Sequence, residues 1–212
     1  MEFDFEQIKH NFKAYDYECG YKALNEMYKK EPSKQKVMYV FAGANGSGKS
    51  TLIANLYRQG LLDTHYINAD LVARENMHQI TGDQKCCFDA MNEAISMVKD
   101  YIKEGNSFCY ETVLSHPSKF ELVNLAKKNG YKVISVFVST KSPNINLGRV
   151  SYRKKQGGHD VVTAKIIARY NRAMENKKVL QVMSDEYYEF DNSHERKIIK
   201  ASDLNQEICQ QR

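Results

Sequence analysis

The chain has 212 residues, 42% of them hydrophobic and 27% charged, a balance that supplies the core of one ordinary domain. Three prolines and 11 glycines exclude collagen-like and low-complexity chains, and the apolar runs at Val37–Ala42 and 133–138 are too short to cross a bilayer. A net charge of +5 is modest for a general nucleic-acid coat but suits a protein that handles small polyanions. The start, Met1-Glu2-Phe3-Asp4-Phe5, has neither the basic nor the apolar region of a secretory signal. Cys19, Cys86, Cys87, Cys109 and Cys209 form no CxxC pair, which argues against a disulfide framework or a zinc site. A cytoplasmic protein with reduced thiols is the expectation.

Residues 1–36 read as a helical N-terminal extension, with Leu24, Met27 and Tyr28 at helical spacing and Glu31-Pro32-Ser33 closing the run. Residues 37–212 read as a single compact domain. Val37–Ala42 is a buried strand running straight into glycines, and residues 50–58 continue as a helix. Residues 65–68 form a short strand, followed by a helix over 71–77. Phe88, Met91, Ile95, Val98 and Ile102 recur at steps of three and four, the pattern of a long amphipathic helix between Asp83 and Glu104. Residues 107–110 predict a strand, 120–128 a helix ended by Asn129-Gly130, and 132–138 the most strand-like run of the chain. Helices over 144–155 and 161–178 flank Gly157-Gly158. Residues 187–190 and 196–200 read as closing strands, before a short terminal helix. Strands alternating with helices predict an α/β fold with a mostly parallel central sheet flanked by helices.

Gly43-Ala44-Asn45-Gly46-Ser47-Gly48-Lys49-Ser50 satisfies GxxxxGK[ST], with Thr51 next, an apolar strand before it and a helix after it. That context marks a P-loop NTPase fold. Glycines allow successive amide N–H groups to point at phosphates, and the helix start adds its positive dipole end. Lys49 is expected to reach the β and γ phosphates of ATP, and Ser50 to ligate Mg²⁺. No LSGGQ-type signature or NKxD-like guanine reader is present; Gln156-Gly157-Gly158 is only a fragment of the former. The strand over 133–138 runs into Ser139-Thr140-Lys141 without the acid that a hydrolytic ATPase carries. Transporter-type ATPases and switch GTPases therefore fit poorly.

Two acids close predicted strands, Asp70 after Tyr66-Ile67-Asn68-Ala69 and Glu111 after Ser107-Phe108-Cys109-Tyr110. In open α/β sheets ligands gather beyond the carboxyl ends of the strands, so both acids should face the transferred phosphoryl group. Asp70 suits a general base for an acceptor hydroxyl, and its position is also that of a helix N-cap. Glu111 suits contact with the acceptor or with a Mg²⁺-bound water; capping of the strand end, toward Thr112 and Val113, is the plainer alternative. Arg149 and Arg153 share a helix face, and Lys165, Arg169 and Arg172 make a second basic stripe. Hinged at Gly157-Gly158, such helices form a basic lid that stabilises charge on the transferring group and excludes water. A solvated cationic face gives the same pattern. Lys154 and Lys155 read as surface, His159 as a loop residue rather than a base. Phe88, Met91 and residues 114–118 are candidates for an acceptor pocket, although Phe88 and Met91 also suit a core.

The GANGSGKST unit, Ile67-Asn68-Ala69-Asp70 and Glu111-Thr112-Val113-Leu114-Ser115 together resemble the zeta-toxin family of P-loop kinases. So do Ser142-Pro143-Asn144, Arg149-Val150, Arg153, Gly157-Gly158-His159-Asp160-Val161 and Tyr188-Glu189-Phe190-Asp191-Asn192-Ser193, in the family's order over roughly residues 37–193. The resemblance implies a kinase of toxin–antitoxin systems that phosphorylates the 3′-hydroxyl of the sugar in UDP-N-acetylglucosamine, and a cognate antitoxin as partner. It implies Lys49 and Ser50 as phosphate and Mg²⁺ residues, Asp70 as base, and Glu111 as an acceptor-site residue beside Thr112. Arg149 and Arg153 match the family's RV…R pattern and are assigned to catalysis; Arg169 and Arg172 match it approximately and are assigned to acceptor binding. The chain is shorter than the best-known toxins, which leaves the acceptor open. Two other readings compete: a nucleic-acid end kinase, and an ATP-gated binding module without turnover. The modest charge and the lack of interleaved aromatic and basic residues argue against nucleic acid.

Overall fold

Alternation along Val37–Ala42 (β1) sends Met38, Val40 and Ala42 to one side of a sheet and Phe41 to the other, all fully or almost fully buried. The computed structural model describes residues 35–77, 84–155, 162–193 and 197–200. After β1 come α1 (Lys49–Arg58), β2 (His65–Ile67), α2 (Ala69–Met77), α3 (Gln84–Glu104), β3 (Phe108–Thr112) and α4 (Ser118–Lys128). Then follow β4 (Lys132–Ser139), α5 (Pro143–Lys155), α6 (Thr163–Met183), β5 (Glu186–Asp191) and β6 (Lys197–Lys200). The strand order is β2-β3-β1-β4-β5-β6; β1 to β5 pair in parallel, and β6 runs antiparallel to β5. This is the α/β sheet expected from the sequence. The proposed N-terminal extension, the glycine hinge and the terminal helix fall outside the described residues, except for Gln35 and Lys36 of the extension.

Both faces are covered, as a parallel sheet requires. On one face Met38, Val40, Phe108, Tyr110, Val133 and Phe137 meet α3, α4 and α6 through Val98, Ile102, Leu122, Ala126, Ala173 and Leu180. On the other, Phe41, Cys109, Val136, Val138 and Phe190 pack on Leu52, Ile53 and Leu56 of α1. The buried stripe of α3 is Ala90, Ala94, Val98 and Ile102 at steps of four, while Met91 and Ile95 are half-buried. Small alanines let the helix approach the sheet, and a hydropathy pattern weighted to large side chains passes over them. Helix α6 reaches Met183, beyond the expected residue 178, because Leu180 continues the buried row of Ala173. No helix among the described residues is long and apolar enough to cross a membrane.

Candidate active site

The loop after β1 leaves the sheet at its carboxyl end, between β3 and β4. Its glycines are demanded by what lies around it. Gly43 has φ +145°, and a Cβ there would lie 2.3 Å from the Val138 carbonyl oxygen. Gly48 has φ +100° at the start of α1, where a Cβ would meet the Asn192 amide at 2.3 Å. Two amide side chains fasten the loop from outside. Asn146 Nδ2 on α5 donates to Asn45 O at 2.7 Å, and Asn192 Nδ2, just after β5, donates to Ser47 O at 2.7 Å. Each is itself held: Asn146 Oδ1 accepts from Thr140 Oγ1, and Asn192 O accepts from Arg149 Nη2 at 2.7 Å. Arg169 Nη1 reaches Asn45 Oδ1 at 3.3 Å. Such fixed donors and acceptors hold a phosphate cradle in shape before its ligand arrives.

Lys49 opens α1 with its side chain buried. Its Nζ donates to Ala44 O at 3.1 Å and lies 3.7 Å from Glu111 Oε1. Burial is the largest influence on this ammonium and lowers its pKa; Glu111 and Asp70 pull it back up, while Arg153 adds to the lowering. Ser50 Oγ donates to the Glu111 carboxylate, 3.0 and 3.1 Å from its two oxygens. Glu111 Oε2 also accepts from Tyr66 OH and, at 3.0 Å, from Asn68 Nδ2. The pleat of β3 explains this orientation, since Cys109 packs on the α1 face and Glu111 follows two residues later on the same side.

Strand β4 ends at Ser139 without the acid that a hydrolytic ATPase carries there. The other neighbour of β1 is β3, and it brings Glu111 to the phosphate loop. Asp70 is not the N-cap that its sequence position suggests. Asn68 Oδ1 accepts the Asp70 N–H at 2.7 Å, and Asn68 O accepts the Leu71 and Val72 N–H groups at 3.1 Å. Asn68 therefore caps α2, and Asp70 sits in the first turn with an exposed carboxylate on the cleft.

Lys49, Ser50, Thr51, Asp70, Glu111, Thr112, Arg149, Arg153 and Arg169 line one cleft of about 390 Å³, a ligand-site volume. The expected second basic stripe divides: Arg169 reaches the cleft, whereas Lys165 and Arg172 are exposed and do not line it. Arg149 is desolvated, which draws its pKa down, and its Nη1 is buried without a partner. Thr112 Oγ1 accepts the Leu114 N–H at 3.2 Å. Leu114, at φ 57°, holds the left-handed conformation a side chain ordinarily avoids, and Asn176 Nδ2 of α6 donates to its carbonyl at 2.8 Å. This braced turn directs Val113, Ser115 and His116 into the cleft, and Lys119 on α4 joins them. Met91 lines the cleft too; the side chain of Phe88 is outside the described residues. Among the described residues, five lysines and arginines line this cleft against two acids, Asp70 and Glu111, a lining complementary to a polyanion.

Sequence reasoning assigned no role to Tyr66, Asn68, Lys119, Asn146 or Asn192. Asn68 and Asn192 stand in segments that carry the family resemblance, the one signal that could have raised them. For Asn146 the sequence holds none, because its importance is a contact across the fold.

A family model described as Zeta toxin matches residues 85–207, more than half of the chain. The chain belongs to the zeta-toxin family. That match begins beyond the phosphate loop, so loop and family are independent observations. An uncharacterized protein of Haemophilus influenzae is 32% identical over 130 residues, 61% of this chain and 89% of the relative. Among solved structures, a chain from the PezAT chromosomal toxin–antitoxin system of Streptococcus pneumoniae superposes with TM-score 0.62 at 17% identity, covering 92% of this chain and 88% of that one. The AvrRxo1-ORF1:-ORF2 structure with ATP gives 0.57 at 16%, over 84% of this chain and 60% of that one. A chain of the Pnkp1/Rnl/Hen1 RNA repair complex gives 0.54 at 14%, over 71% and 48%. These likenesses are of fold. With the family, they make this zeta-toxin relative a kinase-like, nucleotide-using P-loop protein.

Proposed function

We propose that this chain is a Mg²⁺-dependent kinase that moves the γ-phosphoryl group of ATP to a hydroxyl of a nucleotide sugar, with UDP-N-acetylglucosamine the first candidate. The observation that carries the reading is the facing of the phosphate loop and its cations by Asp70 across one cleft. In this reading the 43–51 loop holds the triphosphate, and Lys49 leaves Ala44 O to bind the β and γ oxygens. Ser50 and Glu111 offer a hydroxyl and a carboxylate side by side, the hard oxygen donors that Mg²⁺ prefers alongside phosphates. They would hold the ion, which neutralises phosphate charge when bound. Arg149, whose Nη1 awaits a partner, and Arg153 stabilise charge on the transferring group. The acceptor oxygen forms its bond to γ-phosphorus as the bond to the β,γ-bridging oxygen breaks, ADP departs, and Asp70 takes the hydroxyl proton. Glu111 and Thr112 border the acceptor, with Arg169 bracing the loop through Asn45.

The family supports an antitoxin partner and a cytoplasmic setting, and a single kinase domain over residues 37–212 with 1–36 as an appendage belongs to the same proposal. The test mixes purified protein, ATP–Mg²⁺ and UDP-N-acetylglucosamine and reads products by mass spectrometry. A species heavier by one phosphoryl group, absent with Lys49→Ala, is the expected result; its absence sinks the named acceptor. The RNA repair neighbour favours one second reading, an RNA end kinase. Phosphorylation of a 5′-hydroxyl oligonucleotide in the same assay would select it.

A further inference from the structure

Two peptide units of the phosphate loop are gripped by their carbonyl oxygens from outside the cleft. Asn146 Nδ2 donates to Asn45 O and Asn192 Nδ2 to Ser47 O, each at 2.7 Å. Neither asparagine lines the cleft, whereas Gly46 and Gly48, which supply the N–H of those two peptide units, both do. A peptide unit is planar, and in the trans form its C=O and N–H point in opposite directions. No cis bond occurs among the described residues, so fixing Asn45 O towards α5 turns the Gly46 N–H away from that helix. Fixing Ser47 O towards the end of β5 turns the Gly48 N–H away from the sheet edge in the same manner.

Both grips are close. A Cβ on Gly46 would lie 2.6 Å from Asn146 O and 3.1 Å from Val150 Cγ2, and one on Gly48 would lie 2.3 Å from Asn192 Nδ2. Glycine at these two places is what lets each clamp reach the backbone. The clamps are themselves fixed. Asn146 is completely buried on α5, and its Oδ1 accepts from Thr140 Oγ1, which leaves Nδ2 to face Asn45 O. Tyr170 OH on α6 donates to Thr140 O at 2.5 Å and holds that residue in turn. Around Asn192 the main chain is tied twice: its N–H donates to Ser139 O at 2.9 Å, and its carbonyl accepts from Arg149 Nη2 at 2.7 Å.

We infer that Asn146 and Asn192 are positioning residues that aim the Gly46 and Gly48 N–H groups at a nucleotide phosphate, one clamp for each amide. The inference rests on the nucleotide-binding half of the kinase reading and adds to it the residues that set the loop's grip on phosphate. A loop without clamps has to turn its peptide planes when the ligand arrives, and that ordering subtracts from affinity. Here the planes are set in advance from α5 and from the end of β5. Neither asparagine touches the ligand, so each acts through one peptide plane and on one amide.

The test uses the full chain with its 11 glycines isotope-labelled, titrated with ADP and Mg²⁺ by NMR and by calorimetry. In the wild type the Gly46 and Gly48 amide protons are expected to move downfield as ADP binds, each bonding an anionic oxygen. Asn146→Ala should reduce the Gly46 shift and keep that of Gly48, and Asn192→Ala should do the reverse. Each variant should bind ADP about tenfold more weakly, the loss of one charge-assisted hydrogen bond. A merely structural role would diminish both glycine shifts together in either variant, and that pattern overturns the inference. Unchanged ADP affinity in a folded variant, or glycine signals that ignore ADP in the wild type, would overturn it as well. Should Asn146→Ala fail to fold, as a thermal melt would show, Asn192→Ala at its half-buried position decides the matter alone. Failure of the kinase reading has a different signature. The glycine pattern would then stand, yet no phosphoryl group would reach a hydroxyl in the product assay. A wild type that binds no ADP would remove the clamps and the kinase together.

Discussion

The two ends of the sheet handle charge in opposite ways. At the carboxyl ends of the strands, Lys49 and Glu111 are almost completely buried, and the Arg149 guanidinium is desolvated with one nitrogen unpartnered. At the amino ends, Lys127 bonds Asp185 at 2.8 Å and Lys132 pairs with Glu186, each of these side chains being at least a third exposed. The Asp185 carboxylate also accepts the Val133 N–H at 2.8 Å and so ties α4, β4 and β5 together. Exposed pairs cost little and contribute little, whereas buried cations in excess of acids lower stability until an anion arrives. A fold that accepts this imbalance at one end and settles it at the other has set that end aside for a ligand.

Three substitutions test the contrast, in descending size of effect. Asp70→Asn should lower kcat by about 10²–10⁴-fold, the range of a lost general base, while the Kd for ATP moves by less than about twofold. A parallel fall in ATP affinity would remove Asp70 from the role of base. Gly43→Ala should destabilise the fold by about 3 kcal/mol, because it combines a forbidden φ with a Cβ 2.3 Å from a carbonyl oxygen. Chemical denaturation reads this directly, and an unchanged midpoint would mean that the loop moves freely.

Asp185→Asn, at the opposite end, should cost well under about 1 kcal/mol at neutral pH, since the pair is more than a third exposed. Its pH dependence has a definite sign. Burial alone would raise the Asp185 pKa, but the Lys127 and Val133 hydrogen bonds and the Lys127 and Lys132 charges outweigh it and hold the carboxyl below its usual value. A depressed folded pKa gives stability that is present above the unfolded value, about 3.9, and is lost as pH falls through the folded one. Urea melts of wild type and variant should therefore converge on acidification below the ordinary carboxylate range. A gap that widens there would contradict the pairing.

Much of the fold was legible in advance. The apolar runs at Val37–Ala42 and 132–138 marked central strands, and the glycine-lysine-serine loop between a strand and a helix marked a phosphate loop. The candidate site was legible where residue type and spacing are themselves the chemistry: Lys49, Ser50, Asp70, Glu111, Arg149 and Arg153 all reach the cleft. Arg172 did not follow, because the stripe of Lys165, Arg169 and Arg172 was drawn from spacing along one helix alone, and only Arg169 of that stripe turns inward. Asn68, Asn146 and Asn192 were invisible for a different reason. An amide is an ordinary surface residue until a particular carbonyl or carboxylate is placed against it, and their partners at Glu111, Asn45 and Ser47 are distant in the chain.

Local chemistry, then, is what the sequence determined by itself. A phosphate loop needs glycines that adopt positive φ and a lysine at a helix start, and both are consecutive in the chain. Strand pairing and side-chain reach were left to the tertiary structure. Placing β3 rather than β4 on the catalytic side of β1 turned Glu111 towards Ser50, and seating α4 behind the β3 turn brought Lys119 into the cleft. Those choices depend on burying both faces of the sheet at once, a condition on the whole chain that no short segment carries.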